Sequence, residues 1–228
     1  MFPFFIDWTF LLLIPALGLA FYAQAKVKGT FQTYSKITSR RGFTGAQVAR
    51  HLLDHSGLGH VQVTRVKGTL TDHYDPRKKV LNLSEGVHNS NSVAALGIAA
   101  HEAGHAIQHG LGYSPLVLRN SIVPAANFGT SLAFPLFLIG FFFRIPTFMD
   151  IGIVFFSLAV LFHLVTLPVE LNASQRALVL LGSEGYLDQD EVGSAKKVLT
   201  AAAWTYVAAA TMAAVQLLRL ILLRGSRD

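Results

Sequence analysis

Two histidines and a glutamate form the pattern with the clearest chemical meaning in this sequence. His101 and His105 are four residues apart in the run His101-Glu102-Ala103-Gly104-His105. On an α-helix this spacing puts both imidazoles on one face, where they can bind a single metal ion. Glu102 is then placed to act as a general base on a water molecule at that ion. The pattern therefore predicts the metal site and the base of a zinc hydrolase.

A catalytic zinc ion needs a third protein ligand and an open coordination position. His109 continues the four-residue spacing, but three residues along one helix form a row and not a cap around an ion. We expect His109 to face solvent or lipid headgroups. The chain has no cysteine, so the third ligand must be a histidine or a carboxylate from elsewhere. The candidates are His73, Asp72, Asp75, Glu85, Glu170 and Glu184.

Glu170 stands out among these candidates because it ends an apolar segment, where an ionisable group is costly and indicates a function. It also begins a stretch that reads as helical, and Asn172, Ser174 and Arg176 within that stretch could support the metal ligands. The alternative interpretation is that Glu170 is an N-terminal carboxylate of this helix. The two interpretations are compatible with each other.

The helix that carries the motif lies in a polar region, residues 26–120. Capping residues precede an apolar helix predicted over residues 93–109, and Gly110 and Gly112 end it.

Shorter elements precede that helix. A helix is predicted over residues 44–56, with Thr44 as its N-cap. Alternation of apolar and polar residues predicts strands at 60–66 and 79–83. Residues 79–84 could form an edge strand to which an extended peptide substrate adds.

The rest of the chain is too apolar for a soluble protein. Hydrophobic residues make up 52% of the 228 residues and charged residues only 14%, against roughly 25% charged in soluble domains. Segments of roughly 20 apolar residues can cross a bilayer. Four such segments are predicted, at residues 2–25, 122–143, 150–169 and 200–223. The first is interpreted as an uncleaved span and not a signal peptide, because its positive charges follow it.

The basic residues predict the orientation of the chain. The net charge is +6, and twelve of the nineteen lysines and arginines lie in residues 26–120, with three more in a second polar region, 170–197. The positive-inside rule places both regions in the cytoplasm. Arg219, Arg224 and Arg227 conflict with this orientation if the last segment spans, so the alternative is a tilted, peripheral or re-entrant last helix. The basic residues lack interleaved aromatic residues, and no nucleic-acid partner is expected.

Four stretches of the sequence together resemble a known family. They are residues 68–77 (GTLTDHYDPR), 81–84 (LNLS), 100–108 (AHEAGHAIQ) and 168–177 (PVELNASQRA). These motifs and the order of the apolar segments resemble the YugP-type neutral zinc metallopeptidases of bacterial membranes over nearly the whole chain. A more distant similarity is to the HtpX and Ste24 membrane peptidases.

The resemblance implies a zinc-dependent membrane peptidase in which His101 and His105 are ligands, Glu102 is the base and Glu170 is the third ligand. The more distant relatives carry an aspartate that orients a ligand histidine where this sequence has Ser174. Either the Ser174 hydroxyl or Asp72 would have to take over that orienting role.

Residues 71–75 form a polar cluster with two interpretations. His73 or Tyr74 could donate a hydrogen bond to the oxyanion that forms during peptide hydrolysis. Alternatively, Asp72 and Asp75 only order a turn between strands.

The expected fold is mainly α and integral to the membrane, with about four transmembrane or membrane-associated helices and a small α+β zincin-like catalytic unit that contains the HExxH helix. Residues 1–228 are expected to form one domain. The expected function is that of a zinc endopeptidase with one Zn²⁺ per chain. Its substrate would be a peptide or a membrane protein, and a larger partner protein in the membrane is compatible with so small a polar part.

The location expected is the bacterial inner membrane, with the active site facing the cytoplasm. The alternative function is that of a non-catalytic membrane scaffold that contains zinc, which would predict a closed site of four ligands. A transporter is disfavoured because ionisable residues, such as Asp7 and His163, are few within the predicted spans.

Overall fold

The computed structural model describes residues 8–226, so residues 2–7 of the first predicted span and Arg227 lie outside the described residues. The described chain is mainly helical with one small sheet, which confirms the predicted fold class. In chain order the elements are a 3₁₀ turn at Trp8–Leu12, α1 at Leu13–Tyr34, α2 at Gly45–His55, β1 at Gln62–Val66, β2 at His73–Asp75, β3 at Val80–Ser84, α3 at Glu85–His88, α4 at Val93–Gly110, α5 at Ser114–Phe143, α6 at Pro146–Ser183 and α7 at Gln189–Gly225.

Within residues 8–226, four helical segments are long and apolar enough to cross a membrane, namely Trp8–Tyr34, α5, α6 and α7. α6 has 38 residues and α7 has 37. At a rise of 1.5 Å per residue, each is roughly 55 Å long, whereas the hydrocarbon core of a bilayer is about 30 Å thick. Each helix is therefore much longer than a direct crossing of a bilayer requires.

α6 continues through Glu170 without a break, although the sequence predicted that a span ends at residue 169 and a separate polar region follows. Pro168 lies inside the helix. The residues at every fourth position from Val169 are all completely buried, namely Val169, Ala173, Ala177 and Leu181. This buried stripe keeps the chain helical beyond the proline, because it packs into the core around α4.

The chain divides into two compact units. Among the described residues, the first unit consists of residues 8–24, 118–168 and 204–226 and contains most of the apolar segments. Its core is an aromatic and aliphatic cluster of Ala133, Phe137, Phe141, Met149, Phe156, Leu220 and Leu223. The second unit, residues 25–117 and 169–203, contains the sheet and the motif helix.

Two of the arginines that conflict with the predicted orientation have partners within the first unit. Arg219 is only 5% exposed; its Nε donates to Thr9 Oγ1 at 3.2 Å, and its guanidinium lies 5.9 Å from the ring centre of Phe10. Arg224 Nε donates to Asp150 Oδ1 at 2.9 Å. These contacts explain how the first unit accommodates both arginines. α7 is also long enough to span a membrane without a re-entrant bend.

The sheet of the second unit has three strands in the order β1-β3-β2. β1 is parallel to β3, and β2 is antiparallel to it. The prediction that residues 79–84 form an edge strand is wrong, because β3 is hydrogen-bonded on both sides. β2, which the sequence did not predict, is only three residues long and too short to show a periodic pattern. The strand at the edge nearest α4 is β2, whose Tyr74 hydrogen-bonds to that helix.

Helices α2 and α4, which both pack in the core of the second unit, begin at polar N-cap residues. Thr44 Oγ1 accepts from the backbone N–H of Gln47, and the Gln47 side chain accepts from the backbone N–H of Thr44, as in a capping box. Ser92 Oγ accepts from the N–H of Ala95 at the start of α4. α4 is then buried along most of its length, so each polar side chain on it needs a partner inside the protein.

Candidate metal centre

Three side chains from two helices of the second unit meet at one point. His101 and His105 lie on α4 and Glu170 lies on α6, and their possible ligand atoms are all within 4.8 Å of one another. The Nε2 atoms of His101 and His105 are 3.3 and 3.4 Å from Glu170 Oε2. The structure thus brings together the three residues for which the sequence predicted a metal site.

The surroundings of these side chains favour a cation. Glu170 is 5% exposed and Glu102 is 9% exposed, and a buried carboxylate is costly without a compensating positive charge. Burial alone lowers the pKa of His105, but the hydrogen bond to Glu170 and the charges of Glu102 and Glu170 raise this pKa overall. The donor set of two imidazoles and one carboxylate therefore fits a divalent ion such as zinc.

The Nδ1 atom of each imidazole, which points away from Glu170, lies within hydrogen-bond distance of another side chain. His101 Nδ1 lies 3.0 Å from Ser174 Oγ, and His105 Nδ1 lies 3.0 Å from Gln108 Oε1. The inner Nε2 atoms are consequently the ones that face Glu170. This is the arrangement by which outer hydrogen bonds fix the orientation of metal-binding histidines.

The contacts of Gln108 also determine where the proton of His105 lies. Gln108 Nε2 donates to the backbone oxygen of Val169 at 2.9 Å and to Asn172 Oδ1 at 3.0 Å. A backbone carbonyl can only accept, so the amide oxygen of Gln108 must face His105 and accept its Nδ1–H. The lone pair of His105 is then on Nε2, which is the form that binds a metal ion.

Arg176 completes this chain of hydrogen bonds, since its Nε donates to Asn172 Oδ1 at 2.8 Å. The sequence indicated Asn172, Ser174 and Arg176 as supporting residues but missed Gln108. The sequence does contain a signal for it: Gln108 is an amide on an apolar helix, three residues after His105, and an amide that such a helix buries needs partners.

Asp72, the alternative residue for orienting a histidine, binds elsewhere. It accepts hydrogen bonds from Ser84 N at 2.7 Å and Ser84 Oγ at 3.0 Å. Burial raises the pKa of Asp72, and the bonds from Ser84 act in the opposite direction. The other carboxylate candidates also have separate partners: Asp75 accepts from the backbone of Arg77 and Lys78, Glu85 pairs with Arg65, and Glu184 lies beside His55.

The two candidate oxyanion partners have different surroundings. His73 is exposed; its Nδ1 is 2.9 Å from Thr71 O, and its Nε2 is 3.1 Å from Asn82 Nδ2. The Tyr74 hydroxyl is half-buried and lies 2.9 Å from Nδ1 of His109, near the end of α4. His109 therefore holds Tyr74 and does not simply face solvent.

Gly104, inside the motif, allows α4 and α6 to approach closely. A Cβ at this position would lie 2.9 Å from the backbone oxygen of Ala173 and 3.4 Å from its Cα. Any side chain would push the two backbones apart and carry Glu170 away from the histidines. The glycine is thus a condition for the geometry of the site.

The two imidazoles, the buried carboxylate and the glutamate beside the first histidine have the residue types and spacing expected of a zinc-hydrolase site of the HExxH class. Residues 9–225 match the family described as "Putative neutral zinc metallopeptidase", and the chain belongs to that family. It is similar to the "Putative membrane protease YugP" of Bacillus subtilis (strain 168), with 49% identity over 212 residues, which cover 93% of this chain and 94% of the relative. No solved structure matches the chain.

Proposed function

We propose that this protein is a membrane-embedded zinc endopeptidase whose metal ligands are His101, His105 and Glu170. The observation that carries the proposal is the convergence of these ligand atoms within 4.8 Å, on a helix that also carries Glu102. Membership of a zinc metallopeptidase family supports the reaction class. One such cluster occurs among residues 8–226, so we infer one Zn²⁺ per chain.

Zinc bound at this site would supply a Lewis acid that polarises the scissile carbonyl and acidifies a water molecule. Glu102 removes the proton from the attacking water and delivers it to the leaving amine nitrogen. Its burial beside His101 keeps its carboxylate away from competing bulk water. Ser174 and Gln108 hold the two imidazoles in the ligand orientation.

Tyr74 is the better placed of the two oxyanion donors in this proposal. Both ring nitrogens of His73 already lie within hydrogen-bond distance of other groups. When His109 Nδ1 carries a proton, it donates to the Tyr74 oxygen and leaves the phenolic O–H free to donate to the oxyanion. Tyr74 also belongs to β2, whose outer edge can pair with an extended peptide substrate.

The non-catalytic alternative requires a closed site of four protein ligands. Within the described residues the cluster offers three, which leaves a coordination position for water and substrate. A purely structural zinc site has no use for a general base, and Glu102 lies next to this site in the position of one. Both observations favour the hydrolase.

The direct test is zinc-dependent cleavage by the full chain in lipid nanodiscs. We expect a library of fluorogenic peptides to be cut by the purified protein, activity to disappear when a chelator removes zinc, and activity to return when zinc is restored. Cleavage that persists after the zinc has been stripped would contradict the proposal, as would a zinc-loaded protein that cuts none of the peptides.

Replacement of Gln108 is expected to weaken zinc binding by roughly 10–100-fold, the usual cost of losing a partner that orients a ligand. Gln108→Leu leaves His105 Nδ1 without its acceptor, so the ring can turn. Zinc release to a coloured chelator measures the effect. Gln175→Leu, which changes an exposed glutamine on α6, is the matched control and should release zinc at the wild-type rate. Equal release rates for the two variants would show that Gln108 does not position His105.

The orientation of the catalytic unit toward the cytoplasm is part of the proposal, and the cysteine-free chain permits a clean test. A cysteine at Lys78 should be protected in intact cells from a membrane-impermeant thiol reagent and labelled after permeabilisation. A cysteine at Thr147, at the start of α6, should be labelled from outside. The reverse pattern would invert the topology.

A further inference from the structure

A basic pocket of about 480 Å³ lies between α1 and α7 within the second unit. Three lysines and three hydroxyl-bearing residues line most of it. The complete lining is Lys26, Thr30, Tyr34, Gly193, Lys196, Lys197 and Thr200. None of these residues is acidic, and none belongs to the candidate metal centre.

The lining of this basic pocket is rich in positive charge and in hydrogen-bond donors. Lys196 and Lys197 are exposed and Lys26 is half-buried. Lys197 Nζ lies 5.8 Å from the ring centre of Tyr34, which ties α7 to α1 at this point. A lysine ammonium has three donors and is a common phosphate ligand. The chemistry that matches the pocket is that of an anion with several acceptor oxygens, as in a phosphate group.

The position of the pocket along the two helices indicates where the phosphate would come from. Lys26 follows the first long apolar segment, and Lys196 and Lys197 precede the last one. Lysines at the ends of spans place their charges at the level of lipid headgroups, where anionic lipids attract them.

An apolar groove adjoins the basic pocket. Lys196 and Thr200 line both cavities, and the groove, of about 540 Å³, lies between α6 and α7. Its other lining residues are mostly aliphatic: Leu171, Ser174, Gln175, Leu178, Val179, Val192, Leu199 and Ala203. A free phosphate ion would make no use of such a surface, whereas an acyl chain attached to the phosphate would cover it.

We propose that the basic pocket binds the phosphate-bearing headgroup of an anionic lipid, with an acyl chain of the same lipid in the apolar groove. The site depends on the membrane location of the protein but not on peptidase activity. Bound lipid would link α1, α6 and α7 where these helices reach the membrane surface.

The test compares lipids retained by the purified full-length protein in native mass spectrometry. We expect preferential retention of phosphatidylglycerol over phosphatidylcholine. A lysine near an anionic surface contributes roughly fivefold in affinity, so the variant Lys26→Gln/Lys196→Gln/Lys197→Gln should lose at least about tenfold, after allowance for screening of exposed charges. The charge-matched control Lys67→Gln/Arg77→Gln/Lys78→Gln should keep the preference.

Competition distinguishes a lipid from a soluble phosphate. Inorganic phosphate and glycerol phosphate should displace phosphatidylglycerol only weakly, because they lack the chain that fills the groove. Full displacement by either of them would overturn the lipid assignment, and so would equal lipid retention by the two triple variants. Zinc content at the wild-type level in both variants establishes that they are folded, and it keeps this test separate from the test of proteolysis.

Discussion

Glu102→Gln is expected to bind zinc as the wild-type protein does and yet lose peptide cleavage by at least about two orders of magnitude, since a positioned general base contributes roughly 10²–10⁴-fold. Glutamine preserves the shape of the side chain but removes its basicity. Glu102 is buried next to His101 and is not one of the three clustered ligands. The metal site should therefore survive the change while proton transfer fails.

The decisive measurement determines zinc stoichiometry and the rate of peptide cleavage on the same purified sample. Glu184→Gln is the matched control, because Glu184 is a partly exposed carboxylate beside His55, away from the ligand cluster. It should be fully active. Full activity of Glu102→Gln would remove the proposed mechanism, and much of the argument for a peptidase with it.

Glu170→Ala should lose both zinc and activity. Glu170 is the only carboxylate in the cluster that residues 8–226 form, with Oε2 at 3.3 and 3.4 Å from the two imidazole nitrogens. Loss of a partner that only orients a ligand lowers metal affinity by roughly 10–100-fold, so we expect loss of a direct ligand to cost at least about 100-fold. Elemental analysis of the purified protein, together with membrane fractionation, measures the effect.

Glu85→Ala provides the comparison for this variant, because Glu85 is an exposed carboxylate paired with Arg65. It should retain one zinc ion per chain. Both variants should remain in the membrane fraction, since neither substitution removes an apolar residue from the long apolar helices. If Glu170→Ala retained one zinc ion per chain, Glu170 would not be a ligand.

The features that the sequence predicted well are those encoded by local spacing. The interval between His101 and His105 places two imidazoles on one helix face wherever that helix lies in the fold. The cap at Thr44 and the long apolar segments are equally local signals, and the described residues contain this cap and four long apolar helices. Glu170 was a leading ligand candidate because an ionisable residue at the end of an apolar segment is costly and therefore indicates a function.

The features that the sequence did not predict depend on contacts between distant segments. β2 forms because β3 offers it a partner, and its own three residues have no periodicity. Helix α6 continues past Pro168 because a buried stripe of apolar residues packs there. The sequence hides this stripe, because polar residues lie between its members. The role of Gln108 becomes visible only when Val169 and Asn172 lie beside it.

The separation of the two halves of the metal centre along the chain has a consequence for biosynthesis. His101 and the serine that orients it are 73 residues apart. A ribosome that adds roughly 5–20 residues per second needs roughly 4–15 s to cover that distance. During this interval the nascent chain has both histidines and the glutamate base but no third ligand. For the proposed peptidase, the metal site is therefore complete only after α6 has been translated, and the unfinished chain and the insertion machinery are not exposed to a complete site before then.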